Sequence, residues 1–432
     1  MTTPRNYLFA TFEGGGSIGP ALTAARKLLA RGHRVRFMSD ACNRPEAEAN
    51  GAAFVAWKRA PCRPDKSRET DLLQDWEVDP VTGFERTLDY LMIGPALLYA
   101  EDLIEELRRE PADLVVSNEM LFGPMVACEA AGQRLALLSA NICVYPLIPG
   151  LPPLGAGLAP PSSEEERAFQ AAIAAGSADM LDSRLPPLND ARAALGLAPL
   201  AGVLDQLRAA DALLLGTARS FDFAPDELPP FVRYVGPQLD DPAWAEEWRS
   251  PWPADDERPL VLVAFSTSFQ DHVGVLQRVI DSAAGLPLRL LVTLGAAIAP
   301  EELRPAANTV LVRSAPHNSV MREAALVVTH GGHGTVTRAL VHGRPMLILP
   351  HGRDQGDNAV RVTARGAGLS LSAAASAGEI GAALARLLAD PSFTAAAAEL
   401  GGRVADEAQR STIVEELETL AAPGSEASRF AA

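Results

Sequence analysis

Apolar residues recur along the chain in short runs, and longer amphipathic stretches separate them. The runs predict strands at Asn6–Thr11, Arg34–Met38, Ala52–Ala56, Asp113–Ser117, Leu135–Ser139 and Ala212–Leu215. Beyond a break they predict further strands at Leu260–Phe265, Arg289–Leu294, Thr309–Val312, Ala325–Val328 and Met346–Pro350. Between them the periodicity predicts helices over Ala21–Ala30, Gly83–Arg109, Leu121–Ala131, most of Ala168–Arg208, Val273–Ala284 and Asn318–Ala324. An Ala-rich helical tail follows from Ala373 to Leu420. Strands without polar alternation, each followed by a helix, are the pattern of parallel sheets covered on both faces. The expected class is α/β.

The pattern breaks at Gly236–Pro259, which is rich in Pro and acidic residues and holds Trp244, Trp248 and Trp252. This reads as an interdomain linker, with the tryptophans anchoring it to one domain. The expected division is a first domain at 1–235, a linker at 236–259, a second domain at 260–405 and a terminal helix and tail at 406–432. Two other stretches are too long for ordinary connections. Lys58–Thr82 is polar with three prolines, and Pro146–Pro161 is Pro/Gly-rich beside Tyr145, Leu147, Ile148, Leu151 and Leu154.

The 432 residues are 48% hydrophobic, which suits a globular chain of two to three domains. The net charge of −16 argues against nucleic acid or an anionic membrane as partner. The cysteines, Cys42, Cys62, Cys128 and Cys143, show no CxxC spacing, so neither a metal cluster nor a disulfide framework is indicated. No stretch approaches the length of a membrane span. A cytoplasmic monomer or homodimer is expected.

The densest chemistry lies between Thr329 and Ala359: THGGHGTVTRALVHGRPMLILPHGRDQGDNA. One predicted strand ends in His330-Gly331-Gly332-His333-Gly334-Thr335 and the next in His351-Gly352-Arg353-Asp354-Gln355. Both clusters thus fall at carboxyl ends of neighbouring strands, where open α/β sheets bind ligands. Glycines let the backbone approach a ligand, and a helix starting near Gly334 would offer free N–H groups to an anion. Asp354 and Gln355 are suited to hydroxyl groups. A diphosphate at one turn and a polyol at the next describes a nucleotide sugar.

This stretch resembles the donor-binding signature of the family 1 glycosyltransferases, which glycosylate small lipophilic acceptors. PADLVVSNEM, LVLVAFSTS and RSAPHNSVM fall where that family has counterparts. The resemblance implies the GT-B architecture, two Rossmann-like parallel-sheet domains facing across a cleft with a C-terminal helix crossing back to the first. It implies a UDP- or TDP-sugar as co-substrate, no metal, inversion at the sugar carbon, and a small-molecule acceptor. The donor residues it implies are Thr267, Pro316, His317, His330, Gly331, Gly332, Gly334, Thr335, Asp354 and Gln355. Trp76, Phe122 and Tyr145 are the expected acceptor contacts.

The chain departs from the family where the acceptor proton is removed. The family's His falls at Ser17 and its partner Asp at Asn118. Glu13, Ser17 and Asn118 are the candidate catalytic residues, and Glu119 is a second carboxylate that burial would turn into a base. The family's ribose-binding Glu falls at Arg338, which cannot accept those hydrogen bonds. Ser314 stands where many members carry a base-stacking aromatic. Two other readings remain open: a non-catalytic homologue or auxiliary partner, because both dyad residues are replaced, and a dinucleotide-dependent oxidoreductase. The second rests on Gly14-x-Gly16-x-x-Gly19 after a strand, with Asp40 ending the next strand.

Overall fold

The computed structural model describes residues 3–241, 247–266, 268–296 and 298–423. The first sheet contains β1 (Asn6–Ala10), β2 (Arg34–Ser39), β3 (Ala53–Ala56), β4 (Leu114–Asn118), β5 (Leu135–Ser139), β6 (Ala212–Leu215) and β7 (Val232–Tyr234). The second contains β8 (Leu260–Ala264), β9 (Arg289–Thr293), β10 (Thr309–Val312), β11 (Ala324–Thr329), β12 (Met346–Ile348) and β13 (Gly368–Ser370). The strand orders are β3-β2-β1-β4-β5-β6-β7 and β10-β9-β8-β11-β12-β13. All the pairings are parallel. The expected α/β class with two Rossmann-like sheets is therefore present.

Five helices position the site: α1 (Ile18–Ala30), α2 (Phe122–Ala131), α3 (His333–Val341), α4 (Gln355–Thr363) and α5 (Ile413–Leu420). Each of the first four leaves the carboxyl end of a strand. α5 crosses back: Ile413, Val414, Leu417 and Leu420 are buried with Tyr7, Phe9, Leu22 and Leu28 of the first domain. His33 holds it there, with Nε2 2.9 Å from Glu418 Oε1. Trp248 donates to Glu323 at 3.0 Å, and Arg289 lies 5.7 Å over the Trp252 ring, so both tryptophans anchor the linker to the second domain. Trp244 lies outside the described residues.

Some expected elements differ. β7 and β13 are three-residue edge strands, too short for a periodicity signal. The single helix expected over Gly83–Arg109 is broken into Pro80–Thr87, a π-turn at Leu88–Met92 and Ala96–Arg109. A Cβ on Gly94 would sit 1.9 Å from the Asp89 carbonyl, and Pro95 cannot continue the hydrogen-bond ladder. The segment over 168–208 is likewise several helices, Glu164–Asp182, Leu185–Ala194 and a 3-10 turn at Val203–Ala209. The tail resolves into Ala377–Ala389, Pro391–Gln409 and α5.

Candidate active site

Each sheet reverses its winding once, between β1 and β4 in the first and between β8 and β11 in the second. A crevice opens outside the strand ends at such a point, and ligands bind there. The turns after β1 and β4 carry Glu13–Ser17 and Asn118–Glu119. The turns after β8 and β11 carry Phe265–His272 and His330–Gly332.

In the second domain, β11 runs through a fully buried Thr329 into His330, which is 8% exposed. Gly331 has φ +100°, and a Cβ there would meet the Gln355 carbonyl at 2.9 Å. A Cβ on Gly332 would lie 2.6 Å from His330 Nε2, so the imidazole folds over this glycine. Gly332 caps α3, whose first turn presents His333, Gly334 and a half-buried Thr335. Phe265 packs beside three imidazoles, with ring centroids 5.9 Å from His272, 5.9 Å from His330 and 5.7 Å from His351. Burial, aided by the neighbouring His272, His351 and Arg353, lowers the His330 pKa to about 3. His330 is therefore neutral at neutral pH. A neutral imidazole beside a helix N-terminus can donate one hydrogen bond to an anion without carrying a buried charge.

One strand over, Asp354 precedes α4. Its Oδ2 accepts from Asn358 Nδ2 at 2.8 Å, and burial raises its pKa. Gln355 is engaged at both ends: Oε1 accepts from the His351 amide at 2.7 Å and Nε2 donates to Gln270 Oε1 at 2.7 Å. Gln270 in turn donates to Ser266 Oγ at 3.1 Å. In this structure the two Gln355 bonds brace the turn that carries Asp354. Thr267 lies outside the described residues. Pro316 and His317 are half-buried where β10 turns into the next helix. Burial and the nearby Arg338 lower the His317 pKa to about 4. Arg338 does not point its charge at an open phosphate site. It donates to the carbonyls of Leu239 and Asp240 at 3.3 Å each, tying the linker down.

In the first domain, Ser17 and Asn118 line one cavity of about 10 Å³, room for about one water, together with Thr11 and Pro20. The two replaced dyad positions are therefore neighbours. Neither Glu13 nor Glu119 lines that cavity. Glu13 Oε1 accepts from the Gly15 amide at 2.8 Å and its Oε2 is 3.2 Å from Lys66 Nζ. In this structure Glu13 thus closes its own turn. Asp40 is also spent, its two oxygens accepting from the amides of Glu13 (2.7 Å) and Arg63 (2.6 Å). A ribose would find no free carboxylate there, and a pyrophosphate would meet the Glu13 carboxylate already seated in the turn. This removes the physical basis of the dinucleotide reading.

Glu119 is 3% exposed, and its Oε2, like Glu13 Oε2, is buried with no hydrogen-bond partner, but Glu13 Oε2 has Lys66 Nζ at 3.2 Å. Burial raises the Glu119 pKa to about 7; the Ser139 hydroxyl opposes that shift, and the Asp354 carboxylate of the second domain adds to it.

The acceptor calls are placed as follows. Phe122 is fully buried in the first-domain core and Tyr145 is 6% exposed, their rings edge-on at 6.4 Å. Tyr145 donates its hydroxyl to the Glu119 carbonyl at 2.8 Å. Phe122 and Tyr145 both pack into the first-domain core in this structure. Trp76 is half-buried and packs edge-on against Phe269 of the second domain at 5.1 Å. In this structure it forms a contact between the domains.

Several contacts shut the cleft. Arg353 meets Asp75 through two hydrogen bonds of 2.8 and 3.1 Å. The amides of Gly155 and Gly157 hold the Asp357 carboxylate at 2.7 and 3.0 Å. His333 Nε2 lies 2.7 Å from Thr217 Oγ1, and a buried Arg361–Asp222 pair closes at 2.7 Å. Sequence reading missed Gln270, His272 and Asp357. Their position after the central β8 and within the quoted signature was the available signal.

Comparison with known proteins decides the family. The chain is 30% identical over 405 residues to the 4'-demethylrebeccamycin synthase of Lentzea aerocolonigenes, covering 91% of this chain and 94% of that one. The chain belongs to the nucleotide-sugar-dependent GT-B glycosyltransferases. Residues 277–420 of this transferase match the profile for the erythromycin biosynthesis protein CIII-like C-terminal domain. The demethyllactenocin mycarosyltransferase of Streptomyces fradiae is 27% identical over 352 residues, 79% of this chain and 70% of that one. In fold, the transferase is similar to CalG4, the calicheamicin glycosyltransferase, with a TM-score of 0.75 at 21% identity over 97% of this chain and 98% of that one. Among the described residues no helix is long and apolar enough to cross a membrane.

Proposed function

We propose that the protein is a cytoplasmic, inverting transferase that moves a hexose from a UDP- or TDP-sugar to a small lipophilic acceptor, phenolic, polyketide or similar. The observation that carries this reading is the pairing of a neutral, buried His330 over Gly332 at the start of α3 with Asp354 one strand away. The first half suits a diphosphate and the second suits sugar hydroxyls. The natural-product acceptors in the relatives' names support the acceptor class.

In this mechanism the diphosphate lies against the first turn of α3. Charge develops on it as the sugar C1–O bond breaks, and preorganised N–H donors stabilise that charge more in the transition state than in the ground state. His330 adds a donor, and no metal is called for. Asp354 accepts from sugar hydroxyls and orients the sugar carbon toward the first domain. The acceptor attacks from that side, opposite the leaving group, which inverts the carbon. The acceptor enters beside the Trp76 segment and the Tyr145–Leu154 loop once the Asp75–Arg353 pair opens.

The test is a panel of UDP- and TDP-sugars with a mixed phenolic and polyketide acceptor pool in the presence of a chelator, read by mass. Transfer from one donor class, undiminished by chelation, is expected. Diphosphate binding without any transfer would overturn the catalytic reading in favour of an auxiliary role.

A further inference from the structure

The replaced dyad leaves the acceptor proton without an acceptor. Ser17 and Asn118 are neighbours, but neither is basic at neutral pH, and Glu13 is held by Lys66 and the Gly15 amide. His33 is the first-domain histidine, and it is bound to Glu418 on the far side of β1 and β2, in the α5 interface. A buried polar atom without a hydrogen-bond partner calls for an explanation; Glu13 Oε2 and Glu119 Oε2 are two such atoms at the switch point, and Lys66 Nζ, 3.2 Å away, accounts for the first.

Resting on the transferase reading above, we propose that Glu119 is the catalytic base that takes the proton from the acceptor hydroxyl. Three features of its setting carry this. It follows Asn118 at the carboxyl end of β4, in the crevice where the first sheet reverses. The Tyr145 hydroxyl donates to its backbone carbonyl at 2.8 Å, which anchors the turn that carries it. The groups facing it from the packed elements are Cys143 and Tyr145 on the loop after β5, and Asp354 from the second domain. No lysine or arginine is among the charged groups acting on it. A buried carboxyl with one unpartnered oxygen thus lies within electrostatic reach of the sugar-orienting Asp354.

In the step, the acceptor O–H proton passes to Glu119 Oε2 while the acceptor oxygen bonds to sugar C1. The C1–O bond to the diphosphate breaks, and its electron pair leaves with the diphosphate. The neutral Glu119 then returns its proton to water. Burial and the Asp354 charge bring the group to a pKa near the operating pH, where a base is most effective.

The experiment compares wild type, Glu119→Gln and Glu119→Asp. Transfer from UDP-glucose and TDP-glucose to phenols of graded acidity is followed against pH. UDP and TDP binding is measured by calorimetry. Wild-type kcat/KM is expected to rise with pH and level off above about 7. Glu119→Gln should lose about a hundredfold or more toward the least acidic phenols. It should also lose the rising limb, with a penalty that shrinks as the phenol becomes more acidic. Glu119→Asp should recover the limb at reduced rate, and diphosphate Kd should stay unchanged in both. A structural role would not link the penalty to acceptor acidity. Glu119→Gln with the wild-type profile and unchanged diphosphate binding overturns the assignment alone. Failure of the wild type to bind either diphosphate overturns the transferase reading, and Glu119's role with it. Infrared difference spectra, wild type minus Glu119→Gln, read the carboxyl without turnover. A protonated band that disappears through about pH 7 supports the proposal, and a group already ionised at about pH 5 overturns it.

Discussion

In the first sheet the turn after β1 carries Glu13, Gly14, Gly16 and Ser17; in the second the turn after β11 carries His330, Gly331, Gly332 and His333. Both follow a buried strand, both open a helix, and both sit where their sheet reverses. The first holds its own anion, since the Glu13 carboxylate accepts the Gly15 amide and Lys66 covers it. The second holds an imidazole over the glycine, and burial, aided by the nearby Arg353, keeps it neutral. Glycine spacing sets the shape of an anion-binding turn, and the charge seated in that turn decides whether an external anion can enter.

The comparison is broken most sharply at His330. His330→Ala should cost about 10²–10³ in kcat, the usual loss for one preorganised donor to a developing anion. Rapid-quench turnover with the sugar nucleotide checks it; a loss under about tenfold would leave the helix terminus as sole stabiliser. Asp354→Ala should weaken kcat/KM for the sugar nucleotide about ten- to a hundredfold. The Kd of the bare diphosphate should barely move, because Asp354 addresses the sugar. Equal losses on both would place it on the phosphates.

On the first-domain side, Glu119→Gln reports through stability. Its folded pKa of about 7 lies above the usual 4.5, so the folded chain binds this proton more tightly than the unfolded chain. The stability this adds is complete below about 4.5 and is lost as pH rises through about 7. Wild type should therefore lose on the order of 3 kcal/mol more than Glu119→Gln between these limits. Urea denaturation at several pH values measures it, and parallel curves would mean that the carboxyl is ionised throughout. The smallest effect belongs to Glu13→Gln, which removes a hydrogen-bonded ion pair at about 1 kcal/mol and leaves the shape of the pH–rate profile intact. Loss of the rising limb in that variant would return the base to Glu13.

The strand periodicity was legible because strands buried on both faces cannot hide polar residues, and eleven of thirteen strands were placed from it. β7 and β13 escaped because three residues at an edge carry no pattern. The kinked helix near Pro95 escaped because amphipathicity persists across a break. In the site, His330, Gly332 and Asp354 were readable from local chemistry. The engagement of Gln355 by Gln270 was not, since the two are distant in sequence and meet through sheet order.

The sequence by itself determined the two-sheet architecture, the signature turn and the absence of the family's His–Asp pair, because each is a matter of local spacing and residue type. Only the tertiary structure separated Glu13 from Glu119. Two carboxylates at two strand ends look alike in a sequence. Their surroundings differ, with Lys66 beside Glu13 and burial with the Asp354 charge acting on Glu119, and these are set only once the sheets fold and the domains close.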